Sequence, residues 1–218
     1  MSSDDIKVIN FDEYKKQQYD ILADNIRKNI DMKKDYEILE AGIYMFGFIH
    51  IYCGDCKGKT SAVVGLAVRC AGRGNKVLLV QFLKSRDSGE LYSLAKLPDI
   101  EVMRGKESKK FTFQMNEEEK HALLIEHNKM FEQVLAKIKN GGYSLLILDE
   151  VIGALNAKVF EMPKLIEFLR HKPENLEVVL TGRNPAPELV EIADYVSEMR
   201  KVKHPMDKGI MAREGIEK

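Results

Sequence analysis

Lys59, Thr60 and Ser61 directly follow Gly58, and Cys53, Gly54, Asp55, Cys56 and Lys57 lead up to it. Residue types in this order suit the binding of a phosphate chain. A phosphate needs several backbone N–H groups converging on one point, and a helix N-terminus adds unpaired amides and the positive end of a dipole. Gly54 and Gly58 allow the backbone to curl inward, Lys59 reaches the outer phosphates, and the Thr60 hydroxyl, with Ser61 behind it, is placed to ligate a magnesium ion shared with the nucleotide. The strict Gly-x-x-x-x-Gly-Lys-Ser/Thr pattern is not fully met, since Cys53 stands where the first glycine belongs, but its Gly58-Lys59-Thr60 half is intact. Farther along, an apolar run at 143–148 ends in Asp149 and Glu150. Two acids at the carboxyl end of a strand supply the hard oxygens that magnesium prefers. Arg183, in a rigid Thr-Gly-Arg-Asn-Pro turn, is a third group suited to neutralising phosphate charge.

The same loop admits other chemistry. Cys53 and Cys56 form a C-x-x-C with His50 three residues upstream, the ingredients of a redox pair or part of a zinc site. A structural zinc site wants four ligands, however, and the third cysteine, Cys70, falls at the end of the next helix. The plainer reading is that both cysteines are small residues tolerated in the loop. An odd cysteine count in a chain of 218 residues argues against a disulfide framework and for a reducing compartment. Lys+Arg and Asp+Glu balance at 34 each, so no general attraction to nucleic acid or an anionic membrane is implied. No apolar run approaches the roughly 18 residues of a membrane span, and the first residues lack the parts of a signal peptide. A cytoplasmic protein is expected.

The elements that must position these groups are legible as an alternation. Continuous apolar runs at 45–52, 76–82, 100–103, 143–148, 176–180 and 195–199 read as strands. Helices are predicted at 59–71, 116–140, 163–171 and 188–193, the second capped by Asn116 with Glu117, Glu118 and Glu119 in its first turn. Strand and helix in this order imply an α/β fold, a mostly parallel sheet with helices on both faces. Ligands then sit at the strands' carboxyl ends, where Lys84 and Arg86 can approach phosphate or a carboxylate. Residues 1–44 are predicted to be an N-terminal helical extension, with Tyr19, Leu22, Ile26 and Ile30 on one face for packing on the domain or a second subunit, or for use as a substrate lid, leaving 45–218 as the nucleotide-binding domain. Phe111 and Phe113, in a basic loop, either plug the core or present their rings to a flat ligand.

Together these stretches resemble the P-loop family of ATP:corrinoid adenosyltransferases over about residues 47–217. The carriers are the 54–60 loop, Val80-Gln81-Phe82-Leu83-Lys84, Gly89-Glu90, Leu148-Asp149-Glu150, Val179-Leu180-Thr181-Gly182-Arg183, Ala193-Asp194, Lys203-His204-Pro205 and Gly215-Ile216-Glu217. The Thr-Gly-Arg turn with the Lys-His-Pro tail is the more specific part. The resemblance implies a RecA-like P-loop fold and a reaction in which cob(I) of a corrinoid attacks the 5′ carbon of ATP and triphosphate leaves. It implies ATP bound at 53–61 and Arg183, Mg2+ at Thr60, Asp149 and Glu150, and corrinoid contacts from Phe111, Phe113, Lys84 and His204. Lys59, Phe111 and Phe113 would carry catalysis, the rings excluding the lower axial ligand of cobalt. A reducing flavoprotein supplying cob(I), a homodimer, and an N-terminal segment closing over the corrin are further implications. Phe113 replaces the family's usual tryptophan, and Cys56 its usual glycine, which puts a Cβ where the backbone must approach phosphate.

The competing classes are a nucleotide-dependent regulatory protein on the same fold and an ordinary ATPase, which would release ADP and orthophosphate. In all three the loop lysine is indispensable: Lys59→Ala should abolish nucleotide turnover with the circular-dichroism spectrum unchanged, and undiminished turnover would refute the phosphate-loop assignment.

Overall fold

In a computed structural model of the protein, residues 46–84, 87–105 and 110–217 are described. The apolar face at Tyr19, Leu22, Ile26 and Ile30, together with Arg86 and Lys109, lies outside them.

Six strands form one sheet: β1 Ile49–Cys53, β2 Val77–Gln81, β3 Ile100–Arg104, β4 Leu145–Asp149, β5 Glu177–Thr181 and β6 Tyr195–Glu198. Their order is β3-β2-β4-β5-β1-β6, and every neighbouring pair is parallel. The central strands need water on neither face. β2 and β4 are buried along their whole length, which explains why their sequences are continuous apolar runs rather than alternating ones.

The helices divide between the two faces. Val63 and Ala67 of α1 (Lys59–Ala71) and Leu94 of α2 (Gly89–Leu94) pack with Val77, Leu79, Leu145, Ile147 and Val179. The other face, with Leu78, Val80, Leu146, Leu148 and Val178, is covered by α3 (Glu117–Gly141), α4 (Val151–Asn156), α5 (Met162–Arg170) and α6 (Pro187–Ile192). Strand alternation sends Leu79 and Leu78 to opposite sides, so one five-residue run serves two cores.

The predicted caps of the longest helix are present. The Asn116 side chain accepts from Glu119 N at 2.8 Å, the Glu119 carboxylate accepts from Asn116 N at 2.9 Å, and Gly142 ends the helix in the left-handed conformation at φ 61°. The short helices α2 and α4 were not expected, and the tail contains a 3-10 turn, Pro205–Lys208. Strand ends differ from expectation by a residue or two, and by about four at β1, which starts at Ile49 rather than near residue 45.

In a parallel sheet all carboxyl ends lie along one edge. The register sets Gln81 beside both Arg104 and Asp149, Leu148 beside Leu180, and Tyr52 beside Thr181. The polar residues that close the strands therefore form a row, and the 54–58 loop emerges at that row. Among the described residues, no helix is long and apolar enough to cross a membrane.

Candidate nucleotide and corrinoid site

The phosphate loop has the backbone its glycines predict. Gly54 and Gly58 adopt φ 110° and 121°, and a Cβ on Gly54 would lie 2.4 Å from the Met199 carbonyl oxygen, so the loop passes too close to the chain after β6 for any other residue. That approach is bonded: Met199 N donates to Cys53 O at 2.8 Å, and Cys56 N donates to Met199 O at 3.1 Å. Asp55 accepts from Lys201 N at 3.1 Å, and Lys57 reaches Ile216 O at 3.4 Å and the Glu217 carboxylate at 3.3 Å. Cys56 needs no unusual backbone. The positive-φ non-glycine residues among those described are Glu150, Lys158 and Asn184. A cysteine at this position therefore carries no left-handed backbone penalty.

Lys59 is 6% exposed and donates to the carbonyls of Gly54 at 2.8 Å and Cys56 at 2.9 Å, so its ammonium lies inside the curl of the loop. Ser61, one turn position beyond Thr60, is exposed.

Asp149 is the centre of the remaining contacts and is completely buried. Its Oδ1 accepts from Thr181 Oγ1 at 2.7 Å and Thr60 Oγ1 at 3.3 Å; its Oδ2 faces Lys84 Nζ at 3.0 Å and Gln81 Nε2 at 3.4 Å. The Thr181 hydroxyl also accepts from Glu150 N at 2.8 Å, joining the two acids through β5. Glu150 caps α4 at φ 58°, and burial first, then the neighbouring Asp149 charge, raises its pKa against the opposing pull of Lys59, Lys84 and Arg183. Arg183 is thereby within electrostatic reach of the site although its side chain is exposed.

The arrangement suits magnesium. Mg2+ takes one or two carboxylates and completes its shell with water and phosphate oxygens, so Asp149 and Thr60 provide a sufficient protein share. A cationic group, the Lys84 ammonium, already lies among these oxygens, and the buried Gln81 Oε1 beside them lacks a hydrogen-bond partner. The zinc reading of the cysteines has no such support. Among the described residues no group of three or more His, Cys, Asp or Glu is arranged around a metal position, and His50 is bonded instead to Glu177 and stacked on Tyr195. Cys53, Cys56 and Cys70 are all free thiols.

Phe111 and Phe113 do not plug the core. They are 51% and 81% exposed and stacked on each other, with centroids 5.4 Å apart and planes 8° from parallel. The turn that presents them is closed by Phe111 N donating to Gln114 Oε1 at 3.1 Å. Phe113 borders a cleft of about 600 Å³, with Lys120, His121, Asn156 and Lys158 also on its walls. The Asn156 amide donates to the carbonyls of Arg183 at 2.7 Å and Asn184 at 3.2 Å, which ties the cleft to the same turn that brings Thr181 to Asp149. His204 caps the tail's 3-10 turn, its Nδ1 accepting from Met206 N at 3.2 Å.

Residues 45–217 match the family described as ATP:corrinoid adenosyltransferase BtuR/CobO/CobP. The chain belongs to this family. It is 34% identical over 173 residues to the corrinoid adenosyltransferase of Pseudomonas aeruginosa, covering 78% of this chain and 83% of that one. The corrinoid adenosyltransferases of a Sinorhizobium species and of Escherichia coli K12 are 32% and 29% identical over the same length, covering 80% and 85% of those proteins. The fold, the activity and the corrinoid and ATP substrates expected from the sequence stand on this membership.

Four members of the site were not singled out from the sequence. Gln81 and Glu90 lay within stretches that carry the resemblance, and Thr181 within the turn, but none announced a role. His127 is the fourth: wholly buried on α3, it sets its two ring nitrogens against the carbonyls of Val159 at 2.8 Å and Phe82 at 3.2 Å, and burial lowers its pKa. It fastens the chain just after β2, two residues before Lys84.

Thr181 offers the sharpest check on this geometry. Thr181→Val removes the shorter of the two bonds to Asp149 Oδ1 and strands the Glu150 N–H, and should cost about 1–3 kcal/mol in urea unfolding, with Thr181→Ser recovering most of it. A valine variant as stable as the wild type would contradict the bridge.

Proposed function

We propose that ATP lies with its triphosphate on the 53–61 loop, that Lys59 and Arg183 stabilise the charge of the departing triphosphate, and that the corrin ring lies against Phe111 and Phe113. The observation that carries this reading is the exposed, stacked ring pair, whose Phe113 borders a cleft with a wall hydrogen-bonded to the turn beside the two acids. Two stacked aromatic rings left in solvent expose apolar area that a flat macrocycle can cover.

The chemistry asks for placement more than for proton transfer. Cob(I) brings an electron pair to the 5′ carbon, the carbon–oxygen bond breaks, and the triphosphate leaves with the bonding pair. Holding carbon and cobalt in line supplies much of the acceleration, and preorganised cations at the leaving group supply another share. Mg2+ would be held by Thr60 and Asp149 with Glu150 nearby, and when bound it supplies positive charge to the phosphates. Phe111 and Phe113 act on the other reactant, covering the lower face of the corrin so that the axial ligand stays away and cobalt is easier to reduce.

Lys84, which its place at a strand's carboxyl end allows at phosphate or a carboxylate and the resemblance puts at the corrinoid, belongs to the phosphate side in this reading because its ammonium is engaged with Thr60 and Asp149. His204 completes the corrinoid side in this reading, and the active form is a homodimer. A reducing flavoprotein supplies cob(I), and the setting is the cytoplasm. The regulatory alternative, which rested on Cys53 and Cys56 in the loop, is not favoured beside relatives that are corrinoid adenosyltransferases over most of the chain.

Phe113→Ala tests the corrin assignment. Transfer to a corrinoid that carries its lower ligand should fall at least about tenfold more than transfer to one that lacks it, the size of effect expected when roughly 1.4 kcal/mol of selective stabilisation is lost. Equal losses on both substrates would remove the rings from the cobalt's lower face.

A further inference from the structure

The oxygens that suit magnesium are shared by a cation that belongs to the chain. Lys84 Nζ lies 2.7 Å from Thr60 Oγ1, 3.0 Å from Asp149 Oδ2 and 3.4 Å from Glu90 Oε1. An ammonium has three N–H donors, and these three oxygens match them in number. The surroundings fix the group from both ends. Lys84 O accepts from Arg104 Nη2 at 2.9 Å, and Phe82 N donates to Asp149 O at 3.0 Å, so the backbone presenting the lysine is fastened to β3 and β4. Glu90 is held in turn by the Ser88 hydroxyl and by Gln81 Nε2 at 3.4 Å. Burial would raise the Glu90 pKa, yet the bonds from Ser88, from its own backbone N–H and from Gln81, with the Lys84 charge, bring it below the usual value.

We propose that Lys84 is a tethered counter-cation that competes with the divalent metal for Thr60 and Asp149, making metal entry conditional on the triphosphate. The proposal rests on the metal placement given above. Magnesium sits about 2.0–2.1 Å from its oxygens. A metal ion bonded to Thr60 Oγ1 and Asp149 Oδ2 would lie against an ammonium that holds the same two atoms, and in a water-poor site two cations so close repel strongly. One must leave. The triphosphate tips the exchange because it offers oxygens to both: it completes the metal's shell and gives the displaced ammonium a new set of acceptors within reach. Lys84 thus keeps the buried Asp149 carboxylate paired before the nucleotide arrives and adds positive charge to the phosphates afterwards.

The test is an electron paramagnetic resonance titration with Mn2+ in place of Mg2+, reading the protein-bound ion, on the full chain with and without ATP. Without ATP, Lys84→Met should bind Mn2+ at least about tenfold more tightly than the wild type, since a competing charge has been removed. With ATP the two should differ by less than about threefold, because the triphosphate has already displaced the lysine in the wild type. Equal or weaker Mn2+ binding by Lys84→Met without ATP would overturn the proposal and make Lys84 a group that merely positions the carboxylates. Lys84→Gln, which keeps a polar head group, reads the same comparison should the methionine variant fail to fold. Asp149→Asn separates the two levels of the account. If it binds Mn2+ as the wild type does with ATP present, the metal placement itself is wrong and the role of Lys84 falls with it. If it loses Mn2+ while Lys84→Met gains nothing, only the competition is wrong.

Discussion

A carboxylate with no exposed surface is costly unless every oxygen is paired, and Asp149 is such a group. Its partners come from four separate pieces of chain: Thr60 from the first turn of α1, Gln81 from the end of β2, Lys84 from the loop beyond, and Thr181 from the end of β5. Each must stop at the right height for the pairing to close. The parallel register does this by ending β2, β4 and β5 in one row, with Gln81 directly beside Asp149. Stranding one of these partners carries the penalty of an unsatisfied buried charge, larger than the net worth of any single bond. The fold and the site are therefore held by the same contacts.

From this point the division of labour between the two substrates follows. β1 delivers the phosphate loop next to β5, and the turn after β5 brings Thr181 to the acids and Arg183 into their field. The same turn receives two hydrogen bonds from Asn156 at the wall of the cleft that Phe113 borders. Gly182 makes the join possible: at φ 148°, with any Cβ only 2.6 Å from Ile152 Cβ, it lets β5 press against α4 as no larger residue would. One short turn thus connects the groups proposed for the leaving triphosphate with the rings proposed for the corrin. For a reaction that depends on aligning a cobalt with a carbon, a rigid link between the two sides is the property that matters.

Much of this arrangement is legible in the sequence because it is local. Gly58-Lys59-Thr60, the apolar run ending in Asp149-Glu150, and the Asn116 cap with its acidic first turn are short-range patterns whose physical reasons lie within a few residues. The parallel sheet is readable for a related reason, since strands buried on both faces lose their alternation. Other parts are not local. Gln81 and Thr181 acquire meaning only through Asp149, 68 and 32 residues away. The direction of Lys84, toward the acids, is decided by contacts to Thr60 and Arg104 that no spacing rule contains. His127 looks like one more position on a long amphipathic helix until two distant carbonyls are found facing its ring. Helix α4 has six residues, too few for a helical period to emerge from its apolar run.

The Asp149 knot and the cleft that Phe113 borders are proposed to serve a single displacement at the 5′ carbon of ATP. The direct measurement is to mix the protein anaerobically with Mg-ATP and reduced cob(I)alamin, follow the cobalt–carbon product by its absorbance, and assay the phosphate products of the same reaction. One triphosphate released for each adenosylated corrinoid, with no ADP, is the predicted result. ADP and orthophosphate in place of triphosphate, or adenosylated product without it, would contradict the claim.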